Sequence, residues 1–460
     1  MHVELATHGD SGRGGRRAVL ARALRDAVSS GRLPPGTRLP PYRSLAADLG
    51  MARNAVADAY AELVAEGWLT ARQGSGTRVA ERAAAPPAPD PPPSPAPRPA
   101  FDLRQGLPHT GSFPRTSWLA ASRRALTSAP NDAFGPGDPR GRIELRRALA
   151  RYLARARGVR TSPERIVVCS GVGGALRLLA TVAQVRSAPV AVEAYGLPHH
   201  RRILTAAGLP TVPLPVDGRG ADTAGLGASG AASVLLTPAH QFPTGVALHP
   251  DRRAAAVAWA RSVGALVFED DYDGEFRYDR QPVGAVQGLD PERVVYLGSA
   301  SKSLSPALRL GWMALPAHLV DVVVAAKGER EQTVSALDQL TLADFIESGR
   351  YDRHLRGMRQ RYRRRRDQLA AVLAEKAPHV EVTGIAAGLH AVLRLPPGTE
   401  GAVARAAAFQ GLALEALTDF RHPAASGDTP GDGLVVGYAA PPDSAFTASL
   451  AALCQVLPAP

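Results

Sequence analysis

Between residues 20 and 28 apolar side chains return at helical spacing, with Leu20, Ala23, Leu24 and Val28 on one face. The glycines and prolines at Gly31, Pro34, Pro35 and Gly36 end that helix and open the next element. A short helix is predicted over residues 43–49, stopped by Gly50. A second follows over residues 54–66, with Val56, Tyr60, Leu63 and Val64 on one side. Two short helices joined at a glycine form a helix-turn-helix pattern. Residues 68–79, interrupted by Gly74-Ser75-Gly76, predict a two-stranded wing.

The apolar pattern then lapses. Nine of the twenty residues in 81–100 are proline, which forbids helix and favours an extended, semi-rigid spacer. At about 3.1 Å per residue it reaches roughly 60 Å. From Phe101 onward short apolar runs alternate with helical patterns. Strands are expected at 166–169, 190–193, 233–236, 265–268 and 294–297, and a striped helix at 143–153. That alternation predicts an α/β domain with a mostly parallel sheet and helices on both faces. Residues 340–366 read as one or two long helices leading to a small C-terminal α/β subdomain, with strands at 380–382, 390–395 and 434–437. The expected division is a DNA-binding unit at 12–80, a spacer at 81–100 and a larger domain at 101–460, its small subdomain beginning near residue 370.

Length and charge fit this picture. A chain of 460 residues is too long for one ordinary core. No apolar run is long enough to span a membrane, and the first residues lack the basic-then-apolar order of a signal peptide. Two cysteines make no disulfide framework, so reduced thiols and a cytoplasmic setting are expected. The net charge of +12 favours a polyanionic partner. Residues 12–80 hold eleven arginines against five carboxylates, so part of that charge sits on the helix-turn-helix.

Candidate chemistry centres on the loop after the 294–297 strand. Of 54 cationic side chains only Lys302, Lys327 and Lys376 are lysine. A lysine in so arginine-biased a chain suggests a need for an amine that can lose its proton, as Schiff-base formation with an aldehyde cofactor does. A surface lysine in a serine-rich turn is the alternative reading. An acid at the end of a buried strand, as Asp270 is after 265–268, can pair with a protonated pyridine nitrogen, and a tyrosine two residues on, Tyr272, can reach a ring hydroxyl. Asp271, Asp273 and Glu275 fit a hydrated acidic loop. Gly171-Val172-Gly173 turns from a strand into a helix and offers backbone amides to a phosphate. The run from Arg361 to Arg366 lies within an amphipathic helical pattern and reads as a solvated face or dimer rim rather than a nucleic-acid site.

Ser299-Ala300-Ser301-Lys302, followed by Pro306, Arg309 and Gly311, resembles the cofactor-lysine motif of fold-type I pyridoxal-phosphate (PLP) aminotransferases. The segment from Gly31 to Val79 is similar to the winged helix of GntR-type regulators. With the Glu269–Tyr278 and His240–Gly245 runs added, the whole resembles the MocR subfamily, which fuses a GntR winged helix to an aminotransferase-like domain. The resemblance implies Lys302 as the PLP-bearing amine, Asp270 at the pyridine nitrogen and Tyr272 at the ring hydroxyl. It places Ser299, Ser301, Arg309 and the Gly171, Val172 and Gly173 turn at the phosphate. It implies Arg38 and Arg43 on DNA phosphates, Arg53 and Asn54 at base edges, and Gln73 and Gly74 in the minor groove. A domain-swapped homodimer on a double-stranded operator follows from it as well.

Several positions depart from the family pattern. Leu197 stands where an aromatic usually stacks on the cofactor ring, with Tyr195 nearby. Val172-Gly173 replaces an Ala-Gln pair and loses a side-chain donor. Pro136 stands for a tyrosine, and Ala52 and Ala55 for hydroxyl residues. Arg421 is the candidate for an effector carboxylate. The expected function is a PLP-dependent transcription regulator that senses an amino compound or PLP itself. An active aminotransferase with an accessory DNA-binding domain is the alternative, and a large domain that only dimerises is the third reading.

Overall fold

The computed structural model describes residues 13–72, 76–81, 99–278, 283–328, 334–427 and 431–459. Gln73, Gly74 and residues 82–98 of the proline-rich spacer lie outside the described residues. The chain divides into two compact units, Met1–Pro97 and Arg98–Pro460.

The first unit contains α1 (Arg13–Ser29), α2 (Tyr42–Asp48) and α3 (Arg53–Ala65), then β1 (Leu69–Arg72) and β2 (Gly76–Val79). Leu20 and Leu24 of α1 pack with Val56, Tyr60 and Leu63 of α3 and with Leu69 and Val79 of the wing. The wing pairs antiparallel, with Leu69 opposite Val79 and Arg72 opposite Gly76. Residues 36–39 add a third rung, since Leu39 N–H donates to Thr77 O and Val79 N–H to Thr37 O, both at 2.9 Å. Gly50, at φ 58, makes the turn between α2 and α3, a conformation costly for any residue with a Cβ.

The second unit is built on seven strands: β3 (Ile166–Cys169), β4 (Val190–Glu193), β5 (Thr211–Leu214), β6 (Ser233–Leu236), β7 (Leu266–Asp270), β8 (Val294–Ser299) and β9 (Gly311–Ala314). Their order is β3-β9-β8-β7-β6-β4-β5. Every pair is parallel except those of β9, which runs antiparallel to β8 and β3. Alternate residues serve opposite faces. Val295 and Leu297 pack with α4 (Val172–Leu179) and α5 (Pro198–Ala206), whereas Tyr296 and Trp312 turn to the other side. Truncating a fully buried ring such as Phe268 costs about 3–5 kcal/mol.

The small subdomain has four antiparallel strands: β10 (Glu381–Thr383), β11 (His390–Arg394), β12 (Glu415–Ala416) and β13 (Gly433–Gly437). In it β11 pairs with both β10 and β13, and β12 with β13. Phe101–Asp102, the first strand of the second unit, pairs parallel with Leu412–Ala413 of this subdomain.

The structure corrects several expected boundaries. β7 runs on through Glu269 and Asp270, and β8 through Ser299, because neighbouring strands supply ladder partners that hydrophobicity does not reveal. The long helical stretch is two helices, one of the two readings left open, but it runs wider than 340–366, as Ala336–Glu347 and Arg350–Lys376 separated at Gly349 with φ 69. Within the arginine run Arg363 and Arg364 are exposed, as a solvated face requires, whereas Arg361 and Arg365 turn inward. Arg365 donates to Tyr438 O, Ala439 O and Pro441 O, and with Arg361 it pairs with Asp443.

Candidate functional site

Two strand ends bring the site together. β7 finishes on Asp270, directly opposite Leu297 of β8, and β8 runs on to Ser299. The loop that follows is pinned by Ala300 N–H to Leu310 O and Leu304 N–H to Ala300 O, both at 2.9 Å. Lys302 projects from it, and its amine donates to Gly106 O. Burial pulls the Lys302 pKa below its ordinary value, opposed by the carboxylates of Asp273, Asp270 and Glu415. A larger share of neutral, nucleophilic amine follows at neutral pH.

Asp270 is 2% exposed, and its Oδ1 has no hydrogen-bond partner. Desolvation, reinforced by Asp271, pushes its pKa up to about 8. His200 Nδ1 lies 3.7 Å from the other carboxyl oxygen. Burial drives the His200 pKa down to about 3, so that imidazole is neutral, and the nearby Lys302 is the cation that draws the Asp270 pKa back down. Asp270 shares a cleft with Leu197, His200, Thr237, Phe242 and Tyr272. An orphaned buried carboxyl group is costly alone and satisfied by a protonated ring nitrogen. Tyr272 is buried, with its hydroxyl 3.0 Å from His240 Nδ1.

At the opposite end lies the glycine turn. Gly171, at φ 89, precedes the first residue of α4, Val172, and Gly173 follows within the helix. Arg309 has φ 51, the one positive value among described non-glycine residues, a backbone state that costs about 1–3 kcal/mol. Its Nη2 donates to Ser170 O at 2.5 Å, which holds the guanidinium over this turn. A Cβ on Gly311 would stand 2.5 Å from Gly171 Cα, so the close approach of the two segments requires glycine. Ser299 is buried and Ser301 half-buried beside them. The Arg309 guanidinium, the two serine hydroxyls and the turn amides are donors of the kind a phosphate takes, and together with Lys302 and Asp270 they fit PLP.

Other residues fall less centrally. Leu197, not Tyr195, lines the cleft. Tyr195 is buried and bridges by backbone to Arg421. The Arg421 guanidinium donates to Ala425 O and Gly427 O, so its own loop holds it. Residue-by-residue reading missed the buried neighbours of Tyr272, His240 and Asp273, which come from separate strand ends.

In the first unit Arg53 and Asn54 open α3 and are exposed, as are Arg38 and Arg43. Among the described residues no carboxylate pairs with Arg38, Arg43 or Arg53, whereas Arg25 is paired with Glu66 at 2.9 Å. Guanidinium groups left without a partner on a helix-turn-helix surface are available to phosphate oxygens.

Comparison with known proteins matches both units of the chain. The family described as "Bacterial regulatory proteins, gntR family" matches residues 17–79, and "Aminotransferase class I and II" matches residues 100–429. The HTH-type pyridoxine biosynthesis transcriptional regulator PdxR of Corynebacterium glutamicum is 32% identical over 435 residues, covering 91% of each chain. The probable rhizopine catabolism regulatory protein MocR of Rhizobium meliloti is 33% identical over 446 residues, covering 91% of this chain and 89% of that one. Among solved structures, a multiple substrate aminotransferase of Thermococcus profundus superposes with a TM-score of 0.69 at 25% identity, over 78% of this chain and 91% of that one. The chain belongs to the MocR subfamily of GntR-type transcription regulators, in which a DNA-binding helix-turn-helix is fused to a PLP-type aminotransferase domain.

Proposed function

We propose that residues 12–80 bind a double-stranded operator and that residues 101–460 hold PLP on Lys302 and sense an amino compound or PLP itself. Residues 81–100 serve as the spacer. The carrying observation is the Lys302 amine and the orphaned Asp270 carboxyl, one in the loop after β8 and the other at the end of the neighbouring β7. When bound, PLP supplies an aldehyde that joins an amine and a ring that withdraws electrons. Lys302 offers the amine, Asp270 accepts from the ring nitrogen, and Tyr272 faces the ring hydroxyl. Arg309, Ser299, Ser301 and the 171–173 turn hold the phosphate.

An incoming amine that displaces Lys302 alters operator affinity only as far as it binds two conformations of the protein unequally. Arg421 is the proposed contact for an effector carboxylate, which would take the place of its bonds to Ala425 O and Gly427 O. The PdxR relative's association with pyridoxine biosynthesis supports PLP as one ligand sensed. A domain-swapped homodimer in the cytoplasm is part of the same reading. Self-association is supported by apolar Leu119 and Phe134, which are 65% and 56% exposed.

The deciding experiment is a footprint on the promoter of the protein's own gene, with and without PLP and candidate amines, for wild type and Lys302→Ala. Ligand-dependent protection that Lys302→Ala abolishes is expected; protection indifferent to both would sink the sensor reading. An active aminotransferase uses the same lysine and acid. Leu197 at the ring face and the bare Gly173 in the phosphate turn weigh against efficient turnover. Multiple-turnover transamination with several amino donors tests that alternative.

A further inference from the structure

Asp273 and His240 contact neither the amine nor the acid described above, yet both are almost wholly buried beside them. His240 is 3% exposed and Asp273 2%. His240 Nδ1 lies 2.8 Å from Asp273 Oδ2 and 3.0 Å from the Tyr272 hydroxyl. Two oxygens therefore converge on one ring nitrogen. A carboxylate oxygen can only accept, so Nδ1 carries the proton and donates it. The phenol then has no lone pair on that nitrogen to receive its own proton, which is left to the cleft or to Asp273, whose carboxylate also lies against the hydroxyl.

Packing holds the arrangement. A Cβ on Gly388 would stand 2.5 Å from both Asp273 Oδ2 and His240 Cε1, so the backbone of the small subdomain closes directly over the pair. The His390 ring lies 5.3 Å from the His240 ring, and its Nε2 is engaged with Pro243 O.

We propose that Asp273 and His240 are positioning residues that make the Tyr272 hydroxyl a one-way hydrogen-bond donor to the cofactor's ring oxygen. The inference rests on the proposed place of Tyr272 at that oxygen. A donated hydrogen bond draws negative charge from the ring oxygen and weakens its hold on the proton at the Lys302 nitrogen. The pair thus sets the pH at which Lys302 gives up that proton. Charges face the same groups from several sides: Asp273, Asp270 and Glu193 lie toward Tyr272, Asp273, Asp270 and Glu415 toward Lys302, and His390 toward His240. The test therefore varies the pair and the phenol separately.

The readout is the pH midpoint of the visible absorbance band of the PLP-loaded full-length protein. In His240→Phe the phenol is free to turn to Asp273, and the midpoint should rise by about one unit, the scale of one hydrogen bond. Tyr272→Phe should show the same rise, and the double variant no more than either single. His240→Asn, whose amide N–H stands near the place of Nδ1, should restore the wild-type midpoint. His240→Leu repeats the measurement if the larger ring disturbs folding. A Tyr272→Phe shift with unchanged midpoints in both His240→Phe and His240→Leu overturns the positioning role. A wild-type protein with no visible band, or a Tyr272→Phe midpoint equal to wild type, overturns the cofactor placement on which the proposal rests.

Discussion

Arg157 and Asp271 meet at two points, Nε to Oδ2 at 2.6 Å and Nη2 to Oδ1 at 2.9 Å, with both side chains shut away from solvent. Tyr296 donates to the same carboxylate at 2.7 Å. The pair ties the end of helix Ile143–Arg157 to the residue just past β7, one position beyond Asp270. Removing one partner strands a buried charge. Arg157→Ala should lower unfolding free energy by about 3–5 kcal/mol in urea titrations. A double replacement, Arg157→Met with Asp271→Leu, should cost clearly less, because no charge is left behind.

Asp270→Asn tests the acid at the ring nitrogen. Exchanging a charge-assisted hydrogen bond for a neutral one costs about 1.5–3 kcal/mol, or roughly a tenfold to hundredfold loss of PLP affinity. Absorbance titration with PLP measures it. The fold should remain intact, since an orphaned carboxyl is no help to the protein without its ligand.

Glu269 gives a stability prediction with a definite sign. Burial, then the nearby Asp271, pushes its pKa up to about 7, above the ordinary carboxylate range. The folded state therefore binds this proton more tightly than the unfolded chain. Its contribution is fully present below about pH 4.5 and is lost as pH rises toward about 7. Buried His200 and His390, with pKa values down to about 3, act in the opposite direction. The difference between wild type and Glu269→Gln isolates the glutamate. That difference should shift against wild type between about pH 5 and pH 7 in urea midpoints.

The exposed arginines of the winged helix should separate by role in binding assays. Arg43→Ala should weaken operator and random DNA alike and reduce the salt slope of log K by about 1. Arg53→Ala should cost about 1–3 kcal/mol on the operator and relax its sequence preference. Equal losses on all sequences for both variants would contradict the assignment of Arg53 to base edges.

Much of this was legible in the chain because local chemistry carried it. Strand runs, the glycine of the helix-turn-helix and the lysine loop all signal within a few residues. The antiparallel β9 and the extra length of β7 and β8 did not, because their ladder partners come from elsewhere in the sheet. Rarity of lysine singled out Lys302 but does not set it apart from Lys327. Lys327 is buried, where Lys302 is half-buried, and donates to Pro139 O at 2.6 Å and Val168 O at 2.8 Å as a structural tie. The His240–Asp273 pair joins residues 33 apart across two strand ends, a separation that spacing rules do not address.

The short parallel pairing of Phe101–Asp102 with Leu412–Ala413 has a mechanical meaning. The chain leaves the proline-rich spacer and is at once stitched to the small subdomain rather than to the seven-stranded sheet. The first residues after the spacer are therefore held by the same subdomain whose Gly388 packs over His240 and Asp273, so the start of the larger unit and the cover of the Tyr272 neighbourhood belong to one piece of the fold.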